Sequence, residues 1–205
     1  MKAIIKEEYT KNNFRYVLLV GDHEHIPAIF IAYRHVLKLL ILTLMGEDSY
    51  PEIAIGRFSG KTAEDIKIQA DKVLKYEKLS VSESKSYNRY LMVGSEEGPG
   101  DDAELDYEHL INIKNKLRTV SYKAGHELYD GSHGSEDKVG DPTNIDFANA
   151  INSELGLLMY AGHGTTNSLT TTNFSIPNIS LLKNKTLPCG IFAGCELEIL
   201  TTKIV

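Results

Sequence analysis

Gly156-Leu-Leu-Met-Tyr-Ala-Gly-His163-Gly164-Thr165 and Leu187-Pro-Cys-Gly-Ile-Phe-Ala-Gly-Cys195 decide how this chain is read. Each is a short apolar run that closes in small residues, the pattern of a strand buried on both faces. One run ends in a histidine and the other in a cysteine. If the two strands lie side by side and parallel, both side chains emerge at the carboxyl edge of one sheet, where open α/β folds place their sites. An imidazole beside a thiol is the minimum needed for a cysteine nucleophile.

The segments around this pair alternate strand with helix. Tyr16-Val-Leu-Leu-Val-Gly-Asp22 reads as a parallel strand that delivers an acid to its end. Pro51 to Phe58 reads as a second strand, with Ile53 and Ile55 on one face. Thr62-Ala-Glu-Asp65 resembles a capping box, and apolar residues at helical spacing follow it to about Lys78. Tyr90-Leu-Met-Val-Gly-Ser is the next strand, leading into the acidic loop Glu96 to Asp102. Glu104 to Leu117 predicts a helix that buries Leu110, Ile113 and Leu117. His126 to Asp130 predicts a strand, and Thr143 caps a helix with Phe147, Ala148 and Ile151 inward. Between His163 and Leu187 the pattern predicts an Asn/Thr-rich loop and a short element over 179–183. Such alternation predicts a mostly parallel α/β sheet. The serine-rich stretch 80–86 marks a boundary between a first subdomain, 1–84, and a second, 85–205, that carries the site.

Composition narrows the function. With 205 residues, 42% hydrophobic and 24% charged, the chain is an ordinary globular protein by its amino-acid content. A net charge of -6 and the lack of a basic, aromatic-rich cluster argue against nucleic acid as a partner. The most apolar segment, Val36 to Met45, contains Lys38 and is too short for a membrane span, which needs roughly 20 residues. The amino terminus lacks the pattern of a signal peptide. Two cysteines give no disulfide framework, and Cys189 reads as a core residue.

The candidate residues each carry a plainer alternative. His163 between glycines is either a turn histidine or a base beside a close-approaching backbone, whose Gly164 amide can face an oxyanion. Cys195 is either a structural thiol or a nucleophile. The Glu96-Glu97 loop is either solvated or supplies an acid that orients His163. Asp106 is either a helix-start acid or the floor of a pocket for a basic side chain. Asp22, Asp48 and Glu52 are hard oxygen donors of the type that suits calcium, or surface carboxylates. His23 and His25 find no partners that complete a zinc site.

Taken together, five motifs resemble the gingipain-type cysteine peptidases, a bacterial family with a caspase-like fold. They are Tyr16-Val-Leu-Leu-Val-Gly-Asp-His-Glu-His-Ile-Pro-Ala, Ile55-Gly-Arg-Phe-Ser, the Glu97-Gly-Pro loop, Tyr160-Ala-Gly-His-Gly and the strand ending in Cys195. Their order and spacing follow the family from about Phe14 to Cys195. The resemblance implies a three-layer α/β/α sandwich with a mostly parallel sheet, C-terminally incomplete in this chain. It implies Cys195 as nucleophile, His163 as general base, and the amides of Gly164 and Cys195 as oxyanion hole. It places Glu97 against the histidine, with Glu96 second in line, and Asp106 where arginine-specific members bind the substrate side chain. It implies structural calcium held by Asp22, Asp48 and Glu52 with carbonyls of Met45 and Tyr50, a protein or peptide substrate, and a secreted or surface location. The competing expectation is an inactive fragment or pseudo-peptidase with a structural or secretion-associated role.

Two segments depart from the family pattern. Residues 34–44 replace a polar loop by a leucine-rich run, and residues 197–205 replace a Gly-Asn/Asp-Phe motif. Reading either segment one base out of frame in plausible codons restores the pattern.

Overall fold

The computed structural model of the chain describes residues 2–26, 51–100, 103–133, 136–195 and 197. Residues 34–44 and 198–205, with Met45, Asp48 and Tyr50, lie outside the described residues. The chain forms two compact units, Met1–Glu77 and Lys78–Val205.

In the first unit, α1 (Lys2–Asn12) is followed by β1 (Tyr16–Val20), β2 (Ala54–Phe58) and α2 (Ala63–Glu77). The helix α1 was not legible as an element in the sequence. Strands β1 and β2 pair in parallel, Leu18 opposite Gly56. Their small core joins Ile5 of α1 to Ile53, with Tyr9, Phe14, Val17 and Ile55 packed around it. Thr62 and Asp65 exchange hydrogen bonds at the start of α2: the Asp65 carboxylate accepts from the Thr62 amide, and the Thr62 hydroxyl accepts from the Asp65 amide. That exchange satisfies amides which the first turn leaves unpaired.

The second unit contains β3 (Arg89–Gly94), α3 (Asp106–Arg118), β4 (Ala124–Tyr129), α4 (Asn144–Asn152) and β5 (Leu157–Ala161). After these come β6 (Gly164–Thr165), β7 (Ser168–Leu169), β8 (Phe174–Ser175), a 3₁₀ helix over Ile176–Leu181, and β9 (Cys189–Ala193). The main sheet has the order β4-β3-β5-β9, and every pair in it is parallel.

Alternation along the central strands builds two cores. Leu91, Val93, Leu158 and Tyr160 face α4 and pack with Phe147, Ala148 and Ile151. Tyr90, Met92, Leu157 and Ala161 face the other way and pack with Leu110 of α3. Residues of opposite parity thus serve opposite layers, and the result is an α/β/α sandwich. Deeper on the α3 side, the Lys114 ammonium binds both Glu127 carboxylate oxygens at 2.7 and 2.8 Å.

Three expectations need correction. Cys189 is exposed, because β9 lies at the rim of this sheet and Cys189 shares the α3 face with its partner Leu157 while α3 lies over β3 and β5. Ile113 belongs to neither core; Lys114 takes the buried position on that side of α3. The Asn/Thr-rich segment is not plain loop, for β6, β7 and β8 form an antiparallel sheet directly after His163.

Candidate active site

The register of β5 on β9 positions the two candidate groups. Ala161 pairs with Ala193, so His163 and Cys195 each lie two residues beyond the same rung of the ladder. The Gly162 amide extends the pairing by donating to the Ala193 carbonyl at 3.1 Å. The turns pass so closely that a Cβ on Gly194 would fall 2.5 Å from the Gly162 carbonyl oxygen. Only glycine fits there. A Cβ on Gly164 would likewise fall 2.9 Å from the Cys195 carbonyl oxygen. The backbones of the proposed oxyanion donors are therefore brought together. The ladder bond at this point runs from the Thr170 amide to the His163 carbonyl. Gly164 then meets Leu169 as a non-hydrogen-bonded pair, which leaves the Gly164 N–H outside the ladder.

Around the imidazole the two adjacent glutamates separate. Glu97 Oε1 lies 3.8 Å from His163 Nε2, at ion-pair range, and both side chains are 65% exposed. Glu96 turns the other way, and its Oε1 lies 3.0 Å from His133 Nε2. That histidine also stacks on Tyr107, ring centroids 3.6 Å apart. The Cys195 thiol is exposed and free.

Ser95, which the sequence did not single out, organises the acidic loop. Its hydroxyl donates to Asp106 Oδ2 at 2.6 Å and accepts from the Glu97 amide at 3.3 Å. The Asp106 amide donates to the Glu97 carbonyl at 3.0 Å. Glu97 and Asp106 are thereby bridged at the mouth of the sheet, Asp106 as the first residue of α3. The position of Ser95, one residue beyond the last residue of an apolar strand, was the available signal. Asp130, at the end of β4, is pushed up to about 6 by burial, with Asp141 and Glu96 adding to the rise and a hydrogen bond from Thr171 opposing it.

The proposed calcium donors are only partly described. Asp22 is buried at the end of β1. Its Oδ1 accepts from the Glu24 amide at 2.9 Å and contacts His25 Nδ1 at 2.8 Å. The His25 ring, then backbone hydrogen bonds, hold the carboxyl below its ordinary range against the opposing effect of burial. Asp22 Oδ2 is buried with no hydrogen-bond partner among the described residues. Glu52 is half-buried. Arg57 ties the intervening turn by donating to the carbonyls of Gly21 and Ile26. Among the described residues no cluster of three or more His, Cys, Asp or Glu could hold a metal, and no helix is long and apolar enough to cross a membrane.

Comparison with known proteins identifies the family and the fold. The sequence profile of peptidase family C25 matches residues 1–201. Gingipain R2 of Porphyromonas gingivalis is 34% identical over 188 residues, 90% of this chain and 24% of that protein. The chain thus spans about a quarter of the length of this curated relative. The crystal structure of the Arg specific cysteine proteinase gingipain R superimposes with a TM-score of 0.83 at 31% identity, covering 95% of this chain and 44% of that one. A complex of pro- and mature domains from the same bacterium gives the same score and identity and is covered to 45%. The shared fold is the caspase-like α/β/α sandwich.

Proposed function

Because the chain belongs to peptidase family C25, we propose that it is a cysteine endopeptidase acting through Cys195 and His163. The supporting observation is the Ala161–Ala193 rung, which sets both residues at equal distance past one edge of the sheet. With His163 Nε2 turned to Glu97, Nδ1 is the nitrogen left to take the thiol proton. The thiolate adds to the scissile carbonyl carbon, and its electron pair moves to oxygen. The amides of Gly164 and Cys195 face that oxyanion. Collapse expels the amine, which takes its proton from His163, and leaves a thioester. Water then attacks the thioester with His163 as base, releasing the acid and restoring the thiol.

Glu97 orients the imidazole and stabilises its charged form. Asp106 offers a carboxylate to an arginine or lysine side chain preceding the cleaved bond; the Arg specificity of gingipain R supports arginine. The substrate is a protein or peptide, and the resemblance supports a secreted or cell-surface location.

A calcium ion bound through Asp22, Asp48, Glu52 and the carbonyls of Met45 and Tyr50 is also proposed. Asp22 Oδ2, buried and without a hydrogen-bond partner among the described residues, fits a hard cation. Such an ion would cross-link the end of β1 to the chain preceding β2.

A peptidyl electrophile carrying arginine or lysine at the reacting position tests the main reading. Mass spectrometry is expected to find the adduct on Cys195, and Cys195→Ala to abolish it. An adduct on Cys189 instead, or none on either thiol, would overturn it.

A further inference from the structure

We propose that Tyr160 is a positioning residue for His163, fixing the base by a hydrogen bond from the core to its backbone; this rests on the Cys195–His163 reading above. Tyr160 sits on β5 with its ring in the core facing α4, 1% exposed. Its hydroxyl donates to the His163 carbonyl at 2.5 Å. The Thr170 amide donates to the same oxygen at 3.0 Å, so both lone pairs of that carbonyl are engaged. The phenol oxygen itself lies 3.5 Å from the Thr171 amide and from Thr171 Oγ1. Burial raises the Tyr160 pKa, which keeps the group a protonated donor.

A turn at Gly162 makes this arrangement possible. The backbone passes close to the phenol there, and a Cβ on Gly162 would lie 3.2 Å from the Tyr160 hydroxyl. The His163 carbonyl is drawn toward the core while the imidazole remains exposed and in reach of Glu97. A tyrosine that merely filled space would gain nothing from a buried hydroxyl, whose desolvation costs stability unless a partner is supplied. Here the short-range partner is the backbone of the proposed base. Its loss leaves the Thr170 amide as the remaining donor to the His163 carbonyl and loosens the hold on the imidazole's place between Glu97 and Cys195.

The full 205-residue chain supplies its own control, since Cys189 is also exposed and free. The experiment measures iodoacetamide alkylation of each cysteine as a function of pH, resolved by peptide mass spectrometry, in the parent, His163→Ala and Tyr160→Phe. In the parent, Cys195 is expected to react at lower pH than Cys189, as a thiolate paired with an imidazolium does. His163→Ala is expected to move the Cys195 curve onto that of Cys189. Tyr160→Phe should move it part of the way, and slow Cys195 at neutral pH by about threefold to tenfold, the worth of one neutral hydrogen bond. A melting curve recorded alongside separates this from unfolding. If Tyr160→Phe only lowers the melting temperature and leaves the Cys195 curve on the parent's, the proposal is overturned. Coincident parent and His163→Ala curves would instead remove the dyad beneath it.

Discussion

Glu96 and His133 pair at 3.0 Å, Oε1 to Nε2, and in doing so they turn one of two consecutive carboxylates away from His163. Its neighbour Glu97 is the carboxylate at ion-pair range of that imidazole. Glu97→Gln is therefore expected to slow labelling of Cys195 by an arginyl electrophile by about threefold to fivefold, the upper part of the range for an exposed ion pair. Glu96→Gln is expected to change it less than about twofold. The reverse ranking in a side-by-side rate measurement would transfer the orienting role to Glu96.

Asp106 is predicted to act on specificity and not on the thiol. Asp106→Asn should weaken labelling by the arginyl probe by at least about tenfold, the loss of one charge-assisted contact. Alkylation of Cys195 by neutral iodoacetamide should stay within about twofold, because Ser95 can donate equally well to the carbonyl oxygen of an amide at position 106. Equal losses with both reagents would take Asp106 out of the pocket.

Stability depends on the pair under α3. Lys114 and Glu127 are 5% and 2% exposed, so removing one partner strands a charge away from water. Lys114→Met is expected to destabilise the chain by about 3–5 kcal/mol, and the double replacement Lys114→Met with Glu127→Met by much less. Chemical denaturation of both variants checks this. Similar losses in single and double variants would show that volume, not charge, decides the site.

Asp130 sets a pH dependence with a definite sign. Its value in the fold, about 6, lies above the ordinary 3.8. The protonated form therefore favours the folded state, and the group's contribution falls as pH rises through that interval. Asp130→Asn should flatten the melting temperature between about pH 4 and pH 6 and raise it at neutral pH relative to the parent. An unchanged slope would mean that the carboxyl is free to reach water.

Calcium is tested by chelation. Removing it is expected to lower the melting temperature, and Asp22→Asn to reduce that difference. A melting curve indifferent to chelator would dismiss the ion.

The layers of the fold were legible because buried parallel strands are written as unbroken apolar runs, as at Tyr90–Val93 and Leu157–Ala161. The candidate pair His163 and Cys195 was legible for a related reason: each follows the end of such a run by two residues. What escaped were contacts between residues far apart in sequence. His133 earns no notice as a single polar letter, and becomes visible only once β3 and β4 lie side by side and Glu96 reaches it; Ser95 becomes visible only once α3 brings Asp106 back to the end of β3. Lys114 was not singled out, because helical spacing cannot reveal the Glu127 waiting across the core. Cys189 misled in the opposite sense, since an apolar run does not say that, among the described residues, α3 stops short of one side of its strand. The three short strands after His163 are too brief for any periodicity to mark.

The Ala161–Ala193 rung also sets which lengths of chain can change without loss of chemistry. From that rung the count to His163 and the count to Cys195 are both two, and each step along a strand advances about 3.3 Å and reverses the side. One residue inserted between Ala193 and Cys195 would carry the sulfur to the wrong height or the wrong side of the sheet. The excursion from the end of the 3₁₀ helix to β9, residues 182–188, bears no such restriction, because β9 returns to β5 by pairing and not by tether length. Natural variation in this lineage should therefore accumulate as insertions and deletions within that excursion, with the two short strand-end intervals held at constant length.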